Sequence, residues 1–321
     1  MPQHAVAPAA PAAPAAPAAP ASPSSSATGT ESSRRLLHPA TEAPALTLWG
    51  SSSMSSEGGA EATAVPVRIH EHLALAAAPA AVHPFGVGAT RSPHTLLQRG
   101  LDTPVLRLDG DPEPGTGRVA VSLEGGLRPS GPLRVPGRVD GVDGVLDGSS
   151  GDWSFIPSEA TARIAEGRFT SSLAEIAEGS RQVLWMGKNN IRDVDGVLED
   201  TARMVRAAED GDTLVLGHWC TEHDPLGSET GTAVAAVNTA CAEAYGDRFL
   251  DVQQLLTGEE GLASTPIAPL GLLDQGTTQD ALDRAVVPPL LVATDGIHLN
   301  GWGNLALSWA LVRRMQELRW L

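Results

Sequence analysis

Cysteine is scarce in this chain of 321 residues, which has only Cys220 and Cys241. Two thiols cannot make a disulfide framework; they could form a single bridge, but the simpler reading is a pair of buried, unpaired side chains. Aromatic residues make up only 4 % of the chain, so the core must be built largely from Ala, Val and Leu within a hydrophobic fraction of 42 %. Basic residues are also few, 22 Lys and Arg against 38 Asp and Glu, giving a formal net charge of −16. That balance excludes a nucleic-acid binder, which needs clustered cations to hold phosphates, and the acidic excess reads as a solvated surface. No apolar run of about 18 residues occurs, so no membrane-spanning helix is expected.

The first 40 residues differ in composition from the rest. Pro8, Pro11, Pro14, Pro17, Pro20 and Pro23 recur every third residue among alanines, a spacing that suits polyproline II and forbids a continuous helix. A Ser-rich stretch follows, and residues 1 to about 40 read as a disordered tail. Prolines interrupt its apolar stretch and no basic residue precedes it, so it is not a convincing signal peptide. The localisation expected is cytoplasmic, or secreted by an unrecognised route.

From Pro44 onward the pattern is one of alternating strands and helices. Apolar runs at Ala45–Trp49, Ala80–Val87, Gln182–Met186, Thr213–Leu216 and Arg248–Val252 read as buried strands. Between them, Val194–Ala208, Gly231–Tyr245 and Gly303–Leu318 carry helical spacing. The expectation is an α/β domain over 41–321, a flavodoxin-like three-layer α/β/α sandwich with a parallel sheet of about five strands. Residues 101 to about 157 break the rhythm with frequent Gly and Pro between short β-like runs at Val105–Leu108, Arg118–Leu123 and Leu133–Val139. This reads as a small β-rich insertion of roughly 50 residues, too long for an ordinary loop.

Ligands of such sheets bind beyond the carboxyl ends of the strands, and four segments there carry candidate chemistry. Leu48-Trp49-Gly50-Ser51-Ser52-Ser53-Met54 follows the first strand and can present a serine hydroxyl beside free backbone N–H groups, although such a segment alone is equally a helix cap. Gly88, in Phe85-Gly86-Val87-Gly88-Ala89-Thr90, can offer a backbone N–H at close approach; Arg91 follows, so this is no dinucleotide fingerprint. Asn189, in Gly187-Lys188-Asn189-Asn190, can aim an amide N–H at the same edge, or simply form a turn. Asp295 stands three residues before His298 in Asp295-Gly296-Ile297-His298-Leu299-Asn300, a spacing that lets a carboxylate orient an imidazole. His218, Cys220 and His223 share a loop after a core strand, but no zinc spacing is present and the loop reads as a pocket wall. His70 and His72 fall on a surface helix and are given no role.

The order Ser, Gly, Asn, then Asp and His resembles the SGNH, or GDSL, hydrolase superfamily, over about residues 44 to 320 apart from the insertion. The resemblance implies a serine ester hydrolase working through an acyl-enzyme, with Ser52 as nucleophile, His298 as base and Asp295 orienting it. It implies an oxyanion hole formed by Ser52, Gly88 and Asn189, and neither cofactor nor metal. Ser51 stands where the family has Asp in its first block, and Asn190 where it has Asp in its third. The triple serine leaves Ser51 and Ser53 as alternative nucleophiles. The substrate expected is a short acyl ester of a carbohydrate or secondary metabolite. The alternatives are an acyltransferase using the same residues, or a non-catalytic carbohydrate- or protein-binding module that presents the insertion.

Overall fold

The computed structural model describes residues 43–59, 62–76, 80–209 and 211–321; the tail expected at residues 1 to about 40 lies outside them. The chain runs β1 (Leu46–Gly50), α1 (Val65–Leu75), β2 (Val82–Pro84) and α2 (Ser92–Arg99). Six strands follow: β3 (Val105–Leu108), β4 (Val119–Leu123), β5 (Arg134–Val139), β6 (Val142–Asp147), β7 (Ser154–Pro157) and β8 (Gly167–Ser171). Then come α3 (Leu173–Ala177), β9 (Arg181–Trp185), α4 (Val194–Arg206), β10 (Thr213–Leu216), α5 (Glu229–Tyr245) and β11 (Phe249–Leu250). The chain closes with α6 (Val252–Thr257), α7 (Glu259–Ala263), α8 (Gly276–Asp283) and α9 (Gly301–Glu317).

β1, β2, β9, β10 and β11 form one parallel sheet in the order β11-β10-β9-β1-β2. Counted within the sheet alone, this is the 2-1-3-4-5 winding of flavodoxin-like folds, and its direction reverses between β1 and β9. The sheet is buried on both faces, which is why its strands read as continuous apolar runs. Leu46 and Leu48 point into a cluster with Val65, Ile69 and Leu73 of α1 and Leu307 and Leu311 of α9. Trp49 points the other way, among Phe85, Leu184, Val197 and Met204 of α4, and Val234 and Val237 of α5. Three layers result.

Two strands are shorter than expected. Pro84 has no N–H and ends β2, although Phe85 N still donates to Leu48 O at 2.8 Å. β11 stops at Leu250 because Asp251 already caps α6, its Oδ1 accepting from Gln254 N at 2.9 Å.

The strands β3-β4-β7-β6-β5-β8 close into an antiparallel barrel. The barrel extends to Ser171, past the boundary near residue 157 read from sequence, because β8 supplies the strand that joins β3 to β5. Its interior holds Phe155 and Phe169, both fully buried. Two strand glycines make that possible in so narrow a barrel: a Cβ at Gly137 would fall 2.5 Å from the Phe169 ring, and one at Gly144 would fall 2.6 Å from the Phe155 ring. The barrel core also takes in Val87 and Leu97 of the α/β layers, so it is continuous with the sheet domain.

Candidate functional site

The site is built where β1 and β9 end, on either side of the point where the winding reverses. Gly50 is the last residue of β1, and any Cβ there would collide with the Trp185 carbonyl of the neighbouring strand. From Gly50 the chain enters a series of tight turns. Ser55 N donates to Ser51 O (3.2 Å), Ser56 N to Ser53 O (3.1 Å) and Glu57 N to Ser52 O (3.0 Å). Ser55 Oγ also donates to Ser52 O at 3.1 Å, and Ser56 Oγ accepts from Val65 N at 2.8 Å to cap α1.

The three serines are not equivalent. Ser51 is 1 % exposed and its hydroxyl is buried without a partner, whereas Ser52 and Ser53 each keep 8 % of their surface. A nucleophile must be reached by substrate, so accessibility favours Ser52 or Ser53 over Ser51. Of these two, Ser52 is the one whose carbonyl is doubly pinned by the turn.

Gly88 lies beside this loop. Val87 N donates to Gly50 O at 3.2 Å, which brings the Gly88 turn to the end of β1. Neither Ser52 N nor Gly88 N donates a hydrogen bond to a described residue, so both remain available to an anion. The next residue, Ala89, has φ of +60°, a left-handed turn that carries backbone strain in a non-glycine residue.

Asn189 sits on a short turn after β9. Its Nδ2 donates to Thr90 O at 2.8 Å, which ties the amide to the Gly88 turn and leaves the second amide hydrogen uncommitted. Asn190 grips the same segment: its Oδ1 accepts from Ser92 N and its Nδ2 donates to Ser92 Oγ, each at 3.0 Å. Ser92 Oγ in turn donates to Asp200 at 2.6 Å. Asn189 and Asn190 thus tie the turn after β9 to the Thr90–Ser92 segment that follows Gly88.

Asp295 and His298 occupy a tight turn held by Ala293 N to His298 O (2.8 Å) and by a bridge between Val292 and Leu299. His298 Nδ1 and Asp295 Oδ2 lie 2.6 Å apart, and Asp295 Oδ1 accepts from the backbone N–H of Ile297 (2.8 Å) and of His298 (3.0 Å). Burial pushes the Asp295 carboxyl up, but the His298 side chain and these two backbone donors together hold it at about 2. The carboxylate therefore fixes Nδ1 as the protonated nitrogen and leaves Nε2 free to accept a proton. Asn300 then caps α9, accepting from Trp302 N (2.9 Å) and Gly303 N (3.2 Å).

The serine loop and the histidine turn touch. A Cβ at Gly58 would fall 2.5 Å from His298 Cβ, so that glycine lets the loop after Ser52 pass against the imidazole. No hydrogen bond joins Ser52 Oγ to His298 Nε2. Glu57 is a neighbour that sequence reasoning missed: its carboxylate packs on Gly88 where a Cβ would stand, and accepts from Ser55 Oγ at 3.3 Å. Nothing in the sequence marks it, since the contact joins two turns separated by α1 and β2. Ile297, within the histidine turn, and Trp302, in the first turn of α9, are each 50 % exposed.

The loop after β10 forms a wall of the site. Lys188 Nζ donates to Trp219 O at 2.8 Å and lies 5.2 Å from the Trp219 ring centroid, and burial lowers its pKa. His223 packs on Gly296, beside Asp295. His218 is buried, its Nε2 3.1 Å from Met186 O, and burial with the nearby Lys188 charge depresses its pKa to about 3. Cys220 and Cys241 are both free and buried. Among the described residues no group of three or more His, Cys, Asp or Glu side chains is placed to hold a metal, and no helix is long and apolar enough to cross a membrane.

No protein-family model matches the chain, and no curated protein matches it. Among solved structures, the chain is similar to the crystal structure of the lipase Lip_vut3 from goat rumen metagenome, with 9 % identity over 84 % of this chain and 97 % of that one and a TM-score of 0.46. So distant a likeness carries no argument about this chain.

Proposed function

We propose that the protein is a serine ester hydrolase of the SGNH type, acting through an acyl-enzyme on short acyl esters of a carbohydrate or secondary metabolite. The observation that supports this best is the Asp295–His298 pair at 2.6 Å, packed against the Ser52 loop at the edge where the sheet reverses. In this reading Ser52 Oγ attacks the ester carbonyl and forms the new C–O bond while His298 Nε2 takes its proton. Asp295 keeps the imidazole in the required tautomer and stabilises it once charged. The oxyanion is held by Ser52 N, Gly88 N and the free amide hydrogen of Asn189. His298 next protonates the departing alcohol, and water, deprotonated by the same imidazole, releases the acid.

The test is labelling with a fluorophosphonate probe followed by peptide mapping, together with turnover of p-nitrophenyl acetate by single serine variants. Ser52 should carry the label, and Ser52→Ala should lose roughly 10⁴- to 10⁶-fold in kcat with an unchanged melt. Label on Ser53 would move the nucleophile by one residue. An unlabelled protein that turns over no ester would overturn the reading.

A further inference from the structure

A cavity of about 920 Å³ opens between the barrel and the start of α2. Its size is that of a whole small-molecule site, more than an acyl group needs. The barrel side is formed by Leu127, Arg128 and Ser130, and the sheet side by Arg91, His94 and Asn190. Gly88, Ala89, Thr90 and Arg91 are consecutive, so the wall begins within about 10 Å of Gly88. Two contacts fasten the barrel to that turn: Ser130 Oγ donates to Ala89 O at 2.6 Å, and Gly131 packs on the Gly88 carbonyl.

Most charged groups of the lining are committed elsewhere. Arg168 donates to Thr103 O (2.7 Å) and Thr103 Oγ1 (3.1 Å), Asp102 accepts from Arg203 (2.5 Å), and Asp193 caps α4. Glu124 is exposed and lies near Arg107, whose charge it favours, but makes no ion pair among the described residues. Arg91 and Arg128 enter no ion pair among the described residues, and both are exposed to the cavity. One imidazole ties their backbones together: Arg91 N donates to His94 Nδ1 at 3.3 Å, and His94 Nε2 lies 2.8 Å from Arg128 O. With Nδ1 accepting, Nε2 carries the hydrogen and His94 is neutral; burial, the largest influence on it, lowers its pKa and favours that form. The Arg91 and Arg128 backbones are thus fixed on facing walls of one cavity, and two guanidiniums without an ion partner among the described residues are available there to an anion from outside the chain.

We propose that this cavity is a subsite for an acidic group on the alcohol portion of the substrate, a carboxylate or sulfate held by Arg91 and Arg128, so that the preferred esters are acylated acidic saccharides. The turnover part of this proposal rests on the hydrolase reading; the binding part does not. Two measurements keep them apart. In the first, kcat/KM is compared for O-acetylated methyl galactosiduronic acid, O-acetylated methyl galactoside 6-sulfate and the neutral acetylated methyl galactoside. Wild type should favour an acidic ester, and Arg91→Gln or Arg128→Gln should each reduce the acidic-to-neutral ratio by about tenfold to a hundredfold. In the second, trigalacturonate, its sulfated analogue and neutral trigalactose are titrated calorimetrically into the wild type and the double variant. An acidic trisaccharide should bind the wild type, more weakly as salt rises, and fail to bind the double variant. Preference for the uronate or for the sulfate identifies which anion is read. Equal binding of acidic and neutral sugars, or binding unaffected by loss of both arginines, overturns the subsite. Absence of any ester turnover alongside arginine-dependent binding overturns the hydrolase reading and leaves the subsite standing.

Discussion

Asp295→Asn tests the proposed base more sharply than removal of the residue does. Asp295 Oδ1 accepts two backbone N–H bonds, from Ile297 and His298, and only an oxygen can do so. An asparagine is therefore locked with its carbonyl on that side, and its NH₂ group must face His298 Nδ1, where Oδ2 now lies at 2.6 Å. The imidazole is forced to accept at Nδ1 and to carry its hydrogen on Nε2, the nitrogen that must take the proton of Ser52. A second loss is added to this one. Unit charges about 4 Å apart near a protein surface attract by about 4 kcal/mol, and Asp295 keeps 39 % of its side-chain surface, so about 2 to 3 kcal/mol is the expected stabilisation of the imidazolium. At about 1.4 kcal/mol per decade this is roughly 10²-fold, and the wrong tautomer extends the loss to about 10⁴-fold in kcat with KM little changed. Asp295→Ala loses the charge but leaves the tautomer free, so it should retain more activity than Asp295→Asn. Turnover of p-nitrophenyl acetate, with thermal melts confirming the fold, gives the ranking. Asparagine activity within tenfold of wild type, or alanine the worse of the two, would refute the argument.

Asn189→Ala should lower kcat by about 10²- to 10³-fold with KM nearly constant, and unchanged kcat would remove the amide from the oxyanion hole. Glu57→Gln takes a carboxylate away from the side of Gly88, where negative charge is proposed to develop, and should raise kcat roughly two- to tenfold; a fall would show that Glu57 assists turnover. His218 stays neutral in the fold down to about pH 3, while an unfolded histidine takes up its proton near 6.5. Stability present above pH 6.5 should therefore be lost as pH falls towards 3, by up to an order of 5 kcal/mol, and urea midpoints against pH should decline less steeply in His218→Gln.

The parts of the fold legible in the sequence are those with a local signal. β1 and β10 stand out because a strand covered on both faces has no polar alternation, and Asp295 with His298 stands out because both partners lie within one turn. The barrel was visible through its turns but not to its end. In β8 only Phe169 is a large apolar residue, and what marks Gly167–Ser171 as a strand is its pairing with β3 and β5. The residues that assemble the site escape for the same reason. Asn190 meets Ser92 from 98 positions away, and His94 meets Arg128 from 34. Neither spacing has a periodicity to betray it.

The topology gives a physical reason for the barrel's position. β2 is the edge strand and β9 lies beyond β1, so the connection between them must return across the sheet, and the barrel is inserted in that crossing between α2 and α3. An insertion there reaches the carboxyl end of β1 without disturbing any strand pair. Its Arg128–Gly131 segment settles on the Gly88 turn, where Ala89 holds a left-handed conformation costing on the order of 1 kcal/mol. The Ser130 hydrogen bond to Ala89 O and the packing of Gly131 on Gly88 O offset that cost from the barrel side, while Asn189 and Asn190 do so from β9. The turn is clamped between the barrel on one side and the segment after β9 on the other. The barrel is thereby placed to act on both functions proposed for this edge, lining the cavity that receives the alcohol portion and holding Gly88 N where an oxyanion would form.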